Sequence, residues 1–221
     1  MDKLMALSQI NLLQSLSEED LAEMDELTQI TVYKKRTFIQ TPDTFVEKLF
    51  YVKSGRVRLF QLNAEGKMFI LDILNEGNVF GELNSISLGT RTLYIEAIEE
   101  SQICTIDQKR FETFMIEHPR MMLNMIGVLS KRVGEMSLLA QSMVLEKLSD
   151  KIVQVLVRLA KQFGHVRDGE YMKIELPLSH QELASLVGAS REAVTMALQE
   201  LAQNKVIVTG FRTVYIHHSK L

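Results

Sequence analysis

The chain has 221 residues, 46% of them hydrophobic, a formal net charge of −3 and a single cysteine. That is ample for one large or two small cores, but no run reaches the roughly 18 to 20 apolar residues that cross a bilayer, and no secretion signal opens the chain; a cytoplasmic protein with no membrane partner is expected. Cys104 by itself excludes an internal disulfide, a four-thiolate zinc site and an iron–sulfur cluster, and suits a buried core thiol.

Ser17-Glu-Glu-Asp20 predicts the start of a short amphipathic packing helix carrying Leu21, Met24 and Leu27, with acids in the first turn where the helix dipole favours them. From about Ile30 the hydrophobic period changes to two. Residues 31–40, 48–54, 56–62, 67–74 and 78–83 read as short strands. Gly55, Gly66 and Gly77, spaced by eleven, mark turns at the interval of a β-sandwich or roll. After a loop over 84–90 come two more strands, 92–98 and 102–106, and then Asp107 caps a short helix bearing Phe111, Phe114 and Met115.

Pro119 suits a helix start, and residues 120–145 contain no breaker beyond two tolerated glycines, which at 1.5 Å per residue is about 40 Å of helix. Met122, Ile126, Leu129, Val133, Met136, Ala140 and Met143 alternate four and three apart. That three-heptad stripe predicts a self-dimerising helix, with Met121, Met125, Val128, Leu138 and Leu139 left to serve the β-domain. Residues 146–150 interrupt the stripe; a helix over 151–163, a turn over 164–169 and a strand over 171–176 follow.

Residues 179–201 then read as two short helices joined by a tight turn. Ser179 caps the first, Glu182 closes a capping box and Gly188 ends the helix. Ser190 caps the second, which puts Arg191 and Glu192 in its first turn and Thr195 one turn along the same side, while Ala193, Val194, Ala197, Leu198 and Leu201 face inward. Such a helix reads DNA with its N-terminal residues: Arg191 forks onto guanine, Glu192 accepts from cytosine and Thr195 touches a thymine methyl. Ser179, His180 and Gln181 stand at the start of the first helix as further DNA contacts, His180 towards a phosphate or solvent. Residues 206–216 form two β-branched strands around Gly210, a wing from which Arg212 reaches a phosphate. After residue 145 there are 10 basic and 8 acidic residues, against 15 and 20 before it, so DNA affinity must come from locally placed cations.

In this order the elements resemble the bacterial regulators typified by the cyclic-AMP receptor protein and the fumarate-nitrate regulator, the Crp-Fnr family. The motifs that carry the resemblance are Phe80-Gly-Glu-Leu83 followed by Arg91-Thr92, similar to that family's phosphate-binding cassette, and Gly188-Ala-Ser-Arg-Glu192, similar to its recognition-helix start. The resemblance implies an α+β fold: an N-terminal double-stranded β-roll of the jelly-roll, cyclic-nucleotide-binding type over 1–118, a long dimerisation helix over 119–145 and a C-terminal winged helix-turn-helix over 146–221. It also implies a homodimeric transcription regulator on a palindromic double-stranded DNA site, with RNA polymerase as protein partner. A small anionic effector would be held by the Gly81, Glu82 and Leu83 amides with Arg91 and Thr92, and by Ser137 on the long helix.

Asn84, Leu93 and Met136 depart from the nucleotide-binding pattern, so cyclic AMP is expected to bind weakly or not at all. The four-cysteine cluster of the oxygen-sensing branch is absent from the sequence, and haem is not expected either. His118, His165, His180, His217 and His218 include no pair at helical ligand spacing, so no metal site is expected. Met196 stands where the cyclic-AMP receptor has a second base-contacting arginine, which predicts a different target sequence. An enzyme is not expected, since no nucleophile–base pair is visible. The rivals are a regulator of the same fold without a ligand and a cyclic-nucleotide docking subunit.

Overall fold

The computed structural model describes residues 28–84, 86–119, 122–123, 126–127, 129–130, 133–134, 146–166 and 170–221. The helix expected over residues 17–27 lies outside them, as do Met136, Ser137, Ala140 and Met143. The chain divides into two compact units, with the division between Lys131 and Arg132. Among the described residues no helix is long and apolar enough to cross a membrane.

The first unit is a roll of two facing antiparallel sheets. One has the strand order β1 (Gln29–Tyr33), β9 (Ser101–Ile106), β3 (Leu49–Ser54), β6 (Val79–Leu83), β7 (Ile86–Ser87); the other runs β2 (Phe38–Gln40), β8 (Tyr94–Ala97), β4 (Val57–Leu62), β5 (Met68–Leu74). Alternation along β3 divides the core in two. Phe50 and Val52 point between the sheets with Val57, Leu59, Leu74, Phe80, Leu93, Ile95 and Ile103. Leu49 points to the opposite face and joins Leu83, Ile106, Phe111, Phe114 and Met115 beneath helix α1 (Gln108–Glu117). Asp107 caps α1 by accepting from the Arg110 amide at 3.0 Å. Cys104 is buried in β9, paired with Ile30 of β1 on one side and Tyr51 of β3 on the other.

Two of the expected strands are revised. Residues 31–40 are not one strand but β1 and β2, because Arg36 takes a left-handed φ of 67° that turns the chain. The 84–90 loop contains a short strand, β7, that folds back on β6 through Leu83↔Ile86. Beyond Pro119 the described residues up to 134 are helical apart from the gaps. Leu129 is half-buried and packs against the cluster beneath α1, whereas Met122, Ile126 and Val133 are 41%, 60% and 68% exposed. The expected dimer stripe is therefore not uniform, since Leu129 serves the roll.

The second unit begins with α2 (Leu148–Phe163), three residues earlier than expected, whose Ile152, Leu156, Leu159 and Ala160 are buried. Residues 164–166, expected as part of a turn, form strand β10, paired with β11 (Tyr171–Ile174). The sheet is completed by β13 (Thr213–His217) and β12 (Ile207–Gly210). Between β11 and β12 lie α3 (His180–Val187) and α4 (Arg191–Gln203). His218 opens a 3-10 turn rather than continuing β13.

Candidate DNA-reading helix and anion cassette

Helix α3 is held at both ends by the residues expected to do so. The Ser179 hydroxyl accepts from the Glu182 amide at 3.1 Å, and Glu182 Oε2 accepts from the Ser179 amide at 2.8 Å and from its hydroxyl at 2.7 Å, a complete capping box. At the other end Gly188 adopts φ 68°, the left-handed cap that glycine takes without cost, and its amide donates to the Ala184 carbonyl. Ser190 then accepts from the Ala193 amide at 3.1 Å and starts α4, with Val194, Ala197, Leu198 and Leu201 turned into the core.

This register leaves Arg191 and Glu192 exposed in the first turn, with no ion pair holding either among the described residues. Met196 follows at 70% exposure. Thr195 is less available than the sequence suggested. Its hydroxyl donates to the Arg191 carbonyl at 2.8 Å and meets His180 Nδ1 at 2.9 Å. With its one proton given to the carbonyl, the hydroxyl accepts from the ring, so His180 braces α3 against α4 with this nitrogen instead of holding it out to a phosphate. Gln181 and Ser190 are exposed at their helix starts.

The wing is tied back to the same place. Arg212 adopts φ 52°, its carbonyl accepts from the Leu178 amide at 3.1 Å, and its guanidinium lies 3.6 Å from Glu182 Oε2. The side chain is about half exposed, so it reaches solvent beside the N-terminus of α3. Phe211, at the wing tip, is 94% exposed.

In the roll, Gly81 sits at φ +106° opposite Leu49, so close to β3 that a Cβ would lie 2.2 Å from the Lys48 carbonyl oxygen. Its amide donates to Thr90 Oγ1 at 3.1 Å, and the Glu82 amide donates to the Lys48 carbonyl at 3.0 Å. Glu82 Oε1 accepts from the Arg91 amide at 2.7 Å. The cassette thus satisfies itself: two of the three amides expected to converge on an anion are already bonded within the protein, and one Glu82 oxygen is taken. Leu83 is buried beneath α1.

Arg91 and Thr92 are exposed. The Arg91 guanidinium stacks over the Phe45 ring at 5.0 Å, and Thr92 Oγ1 accepts a long 3.5 Å bond from Gln61. Sequence reasoning missed the residues that set this turn. Gln40 and Thr90 are each 1% exposed, and Gln40 Nε2 donates to the Thr90 carbonyl at 2.8 Å and to the Leu93 carbonyl at 3.4 Å. Leu93 lies inside the roll at 4% exposure. As a site for a cyclic nucleotide the fit is mixed: Arg91 and Thr92 suit a phosphate, but the bonded amides and the apolar Leu93 do not.

Residues 30–118 match the family described as Cyclic nucleotide-binding domain, and residues 150–220 match the Crp-like helix-turn-helix domain. The chain is 26% identical over 198 residues to the Cyclic AMP receptor protein of Thermus thermophilus, covering 87% of this chain and 88% of that one. It is also 26% identical over 174 residues to the CRP-like cAMP-activated global transcriptional regulator of Mycobacterium tuberculosis, covering 79% and 77%. Among solved structures, a variant of CooA from Carboxydothermus hydrogenoformans aligns with a TM-score of 0.78 at 28% identity, over 96% of this chain and 94% of its own. The c-di-GMP responsive regulator CLP of Xanthomonas campestris shares the fold with a TM-score of 0.76 at 23% identity, over 91% and 99%.

Proposed function

We propose, for a chain that belongs to the Crp-Fnr family of DNA-binding transcription regulators, that two copies read a two-fold symmetric site through paired α4 helices, under the control of a small anion at the Arg91 cassette. The observation that carries the reading is the doubly capped helix-turn-helix that leaves Arg191 and Glu192 bare in the first turn of α4. An arginine there forks onto guanine O6 and N7, and a glutamate accepts from cytosine N4. Two such helices would read half-sites about 34 Å apart, one turn of DNA.

Pairing of two copies is supported by Met122, Ile126 and Val133, three apolar positions of one heptad stripe that a single chain leaves uncovered. RNA polymerase is the expected protein partner on such DNA. For the effector, the exposed Arg91 guanidinium, stacked on Phe45 beside Thr92, favours an anion, and cyclic AMP, named for two relatives, is the first compound to test. The self-bonded Gly81 and Glu82 groups favour a second reading, a regulator of the same fold that needs no ligand. Both readings have cyclic AMP binding weakly or not at all, because Leu93 fills the roll and an occupant would first have to break internal hydrogen bonds that contribute about 1 kcal/mol each.

The test of DNA reading is enrichment of a binding sequence from random DNA by the full-length protein, followed by titration of that site. Arg191→Ala should cost about 1 to 3 kcal/mol on the enriched site and little on random DNA. Equal losses on both would make Arg191 a phosphate contact and overturn the base-reading role.

A further inference from the structure

Phe211 is the most exposed large apolar side chain among the described residues, at 94%. An isolated exposed apolar residue is ordinary on a protein surface. What sets this one apart is the rigidity beneath it. Gly210 pairs with Thr213, so the turn consists of Phe211 and Arg212 alone. Arg212 is held in a left-handed conformation that a non-glycine residue adopts only against a conformational cost. The Phe211 carbonyl accepts from Thr213 Oγ1 at 3.1 Å, and the Arg212 carbonyl accepts from the Leu178 amide at 3.1 Å. Beside it the Arg212 side chain reaches Glu182 of the α3 capping box. A strained and firmly anchored turn thus presents a bare aromatic ring of only two side-chain torsions.

The anchoring says what the ring would meet. In a helix-turn-helix the second helix enters the major groove while the first crosses the sugar–phosphate backbone. The wing tip is fastened to the N-terminal end of α3, the first helix, so it lies at the backbone ridge that borders the major groove. Arg212 suits the phosphates there. A phenyl ring gains nothing from phosphates; the apolar surface within reach is the deoxyribose wall and base steps of the adjoining minor groove, where proteins insert phenylalanine as a wedge.

Resting on the DNA-reading function above, we infer that Phe211 is a minor-groove wedge. It adds salt-independent affinity to each half-site and favours an easily unstacked pyrimidine–purine step at a flanking position that no side chain reads by hydrogen bonding.

The experiment uses full-length protein and the DNA sequence that it enriches from a random pool, with 2-aminopurine placed at the flanking step. Phe211→Ala should bind about tenfold more weakly, as loss of one base–aromatic contact does. It should keep the parent's slope of log affinity against log salt, because no phosphate contact is lost. The parent should brighten the 2-aminopurine and the variant should not, and a pool enriched by the variant should lose the flanking pyrimidine–purine preference. Unchanged thermal unfolding of Phe211→Ala, expected for so exposed a ring, verifies the fold. Affinity within about twofold of the parent, or a loss accompanied by a shallower salt slope, overturns the wedge. So does unchanged DNA binding with reduced transcription by polymerase, which would assign the ring to a protein contact. If the parent enriches no sequence, the DNA-reading function itself fails; if it enriches a site indifferent to Phe211, only the wedge does.

Discussion

Replacing Gly81 by alanine tests how the cassette is built. Two costs can be assigned. A side chain at φ +106° leaves the region open to L residues, at about 1 to 3 kcal/mol. The new Cβ would also stand 2.2 Å from the Lys48 carbonyl oxygen and 2.9 Å from Phe50 Cδ2. The carbonyl cannot swing aside, because it accepts from the Glu82 amide between β3 and β6; forcing those strands apart is overpacking, about 1 to 3 kcal/mol more. The sum is about 2 to 6 kcal/mol. Gly66→Ala separates the two costs, since Gly66 has φ +75° with nothing within 4 Å of the place a methyl group would take, and should lose only about 1 kcal/mol. Urea unfolding followed by tyrosine fluorescence or by amide exchange in β3 and β6 reads the difference. With a slope of about 2 kcal/mol per M, the Gly81→Ala midpoint should fall by about 2 M and that of Gly66→Ala by about 0.5 M. Equal shifts would refute the crowding argument and leave only the backbone conformation.

Val133→Glu should convert the protein to monomers, because the carboxylate would face its own copy across a two-fold axis without a counter-charge, and DNA affinity should fall with it. Analytical ultracentrifugation checks this, and an unchanged dimer would move the interface off the heptad stripe. Calorimetry on stripped protein with cyclic AMP, cyclic GMP and a panel of organic acids addresses the cassette: an anion other than cyclic AMP should bind and lose about tenfold or more in Arg91→Ala, matching one charge-assisted hydrogen bond of about 1.5 to 3 kcal/mol. Micromolar cyclic AMP binding abolished by Arg91→Ala would refute the exclusion argued from Leu93 and the bonded amides.

The helix-turn-helix was legible almost residue by residue because its signals are local. Ser179 and Glu182 lie three residues apart in one capping box, Gly188 ends the helix it follows, and Ser190 begins the next. The strands were legible as elements through their alternation, but not where one run had to turn: residues 31–40 read as a single strand although Lys34, Lys35 and Arg36 interrupt its period between β1 and β2. The cassette was legible in composition and not in state. Its Gly81 amide is bonded by Thr90, which lies outside the recognisable motif, and the turn is fixed by Gln40, fifty residues away. No local pattern carries such pairings. His180 illustrates the same limit, since only folding brings it against Thr195, fifteen residues on.

Cys104 gives the roll a built-in clock. As the sole thiol of the chain, 1% exposed on β9, it can meet an aqueous electrophile only when the roll opens around that strand, so its alkylation rate reports local opening of the roll at β9. An event in the reading unit that leaves the roll shut is silent to this reagent, whereas one that loosens β9 quickens it. The labelling kinetics of the unaltered chain therefore separate the breathing of one half from that of the other, without a fluorophore or a substitution.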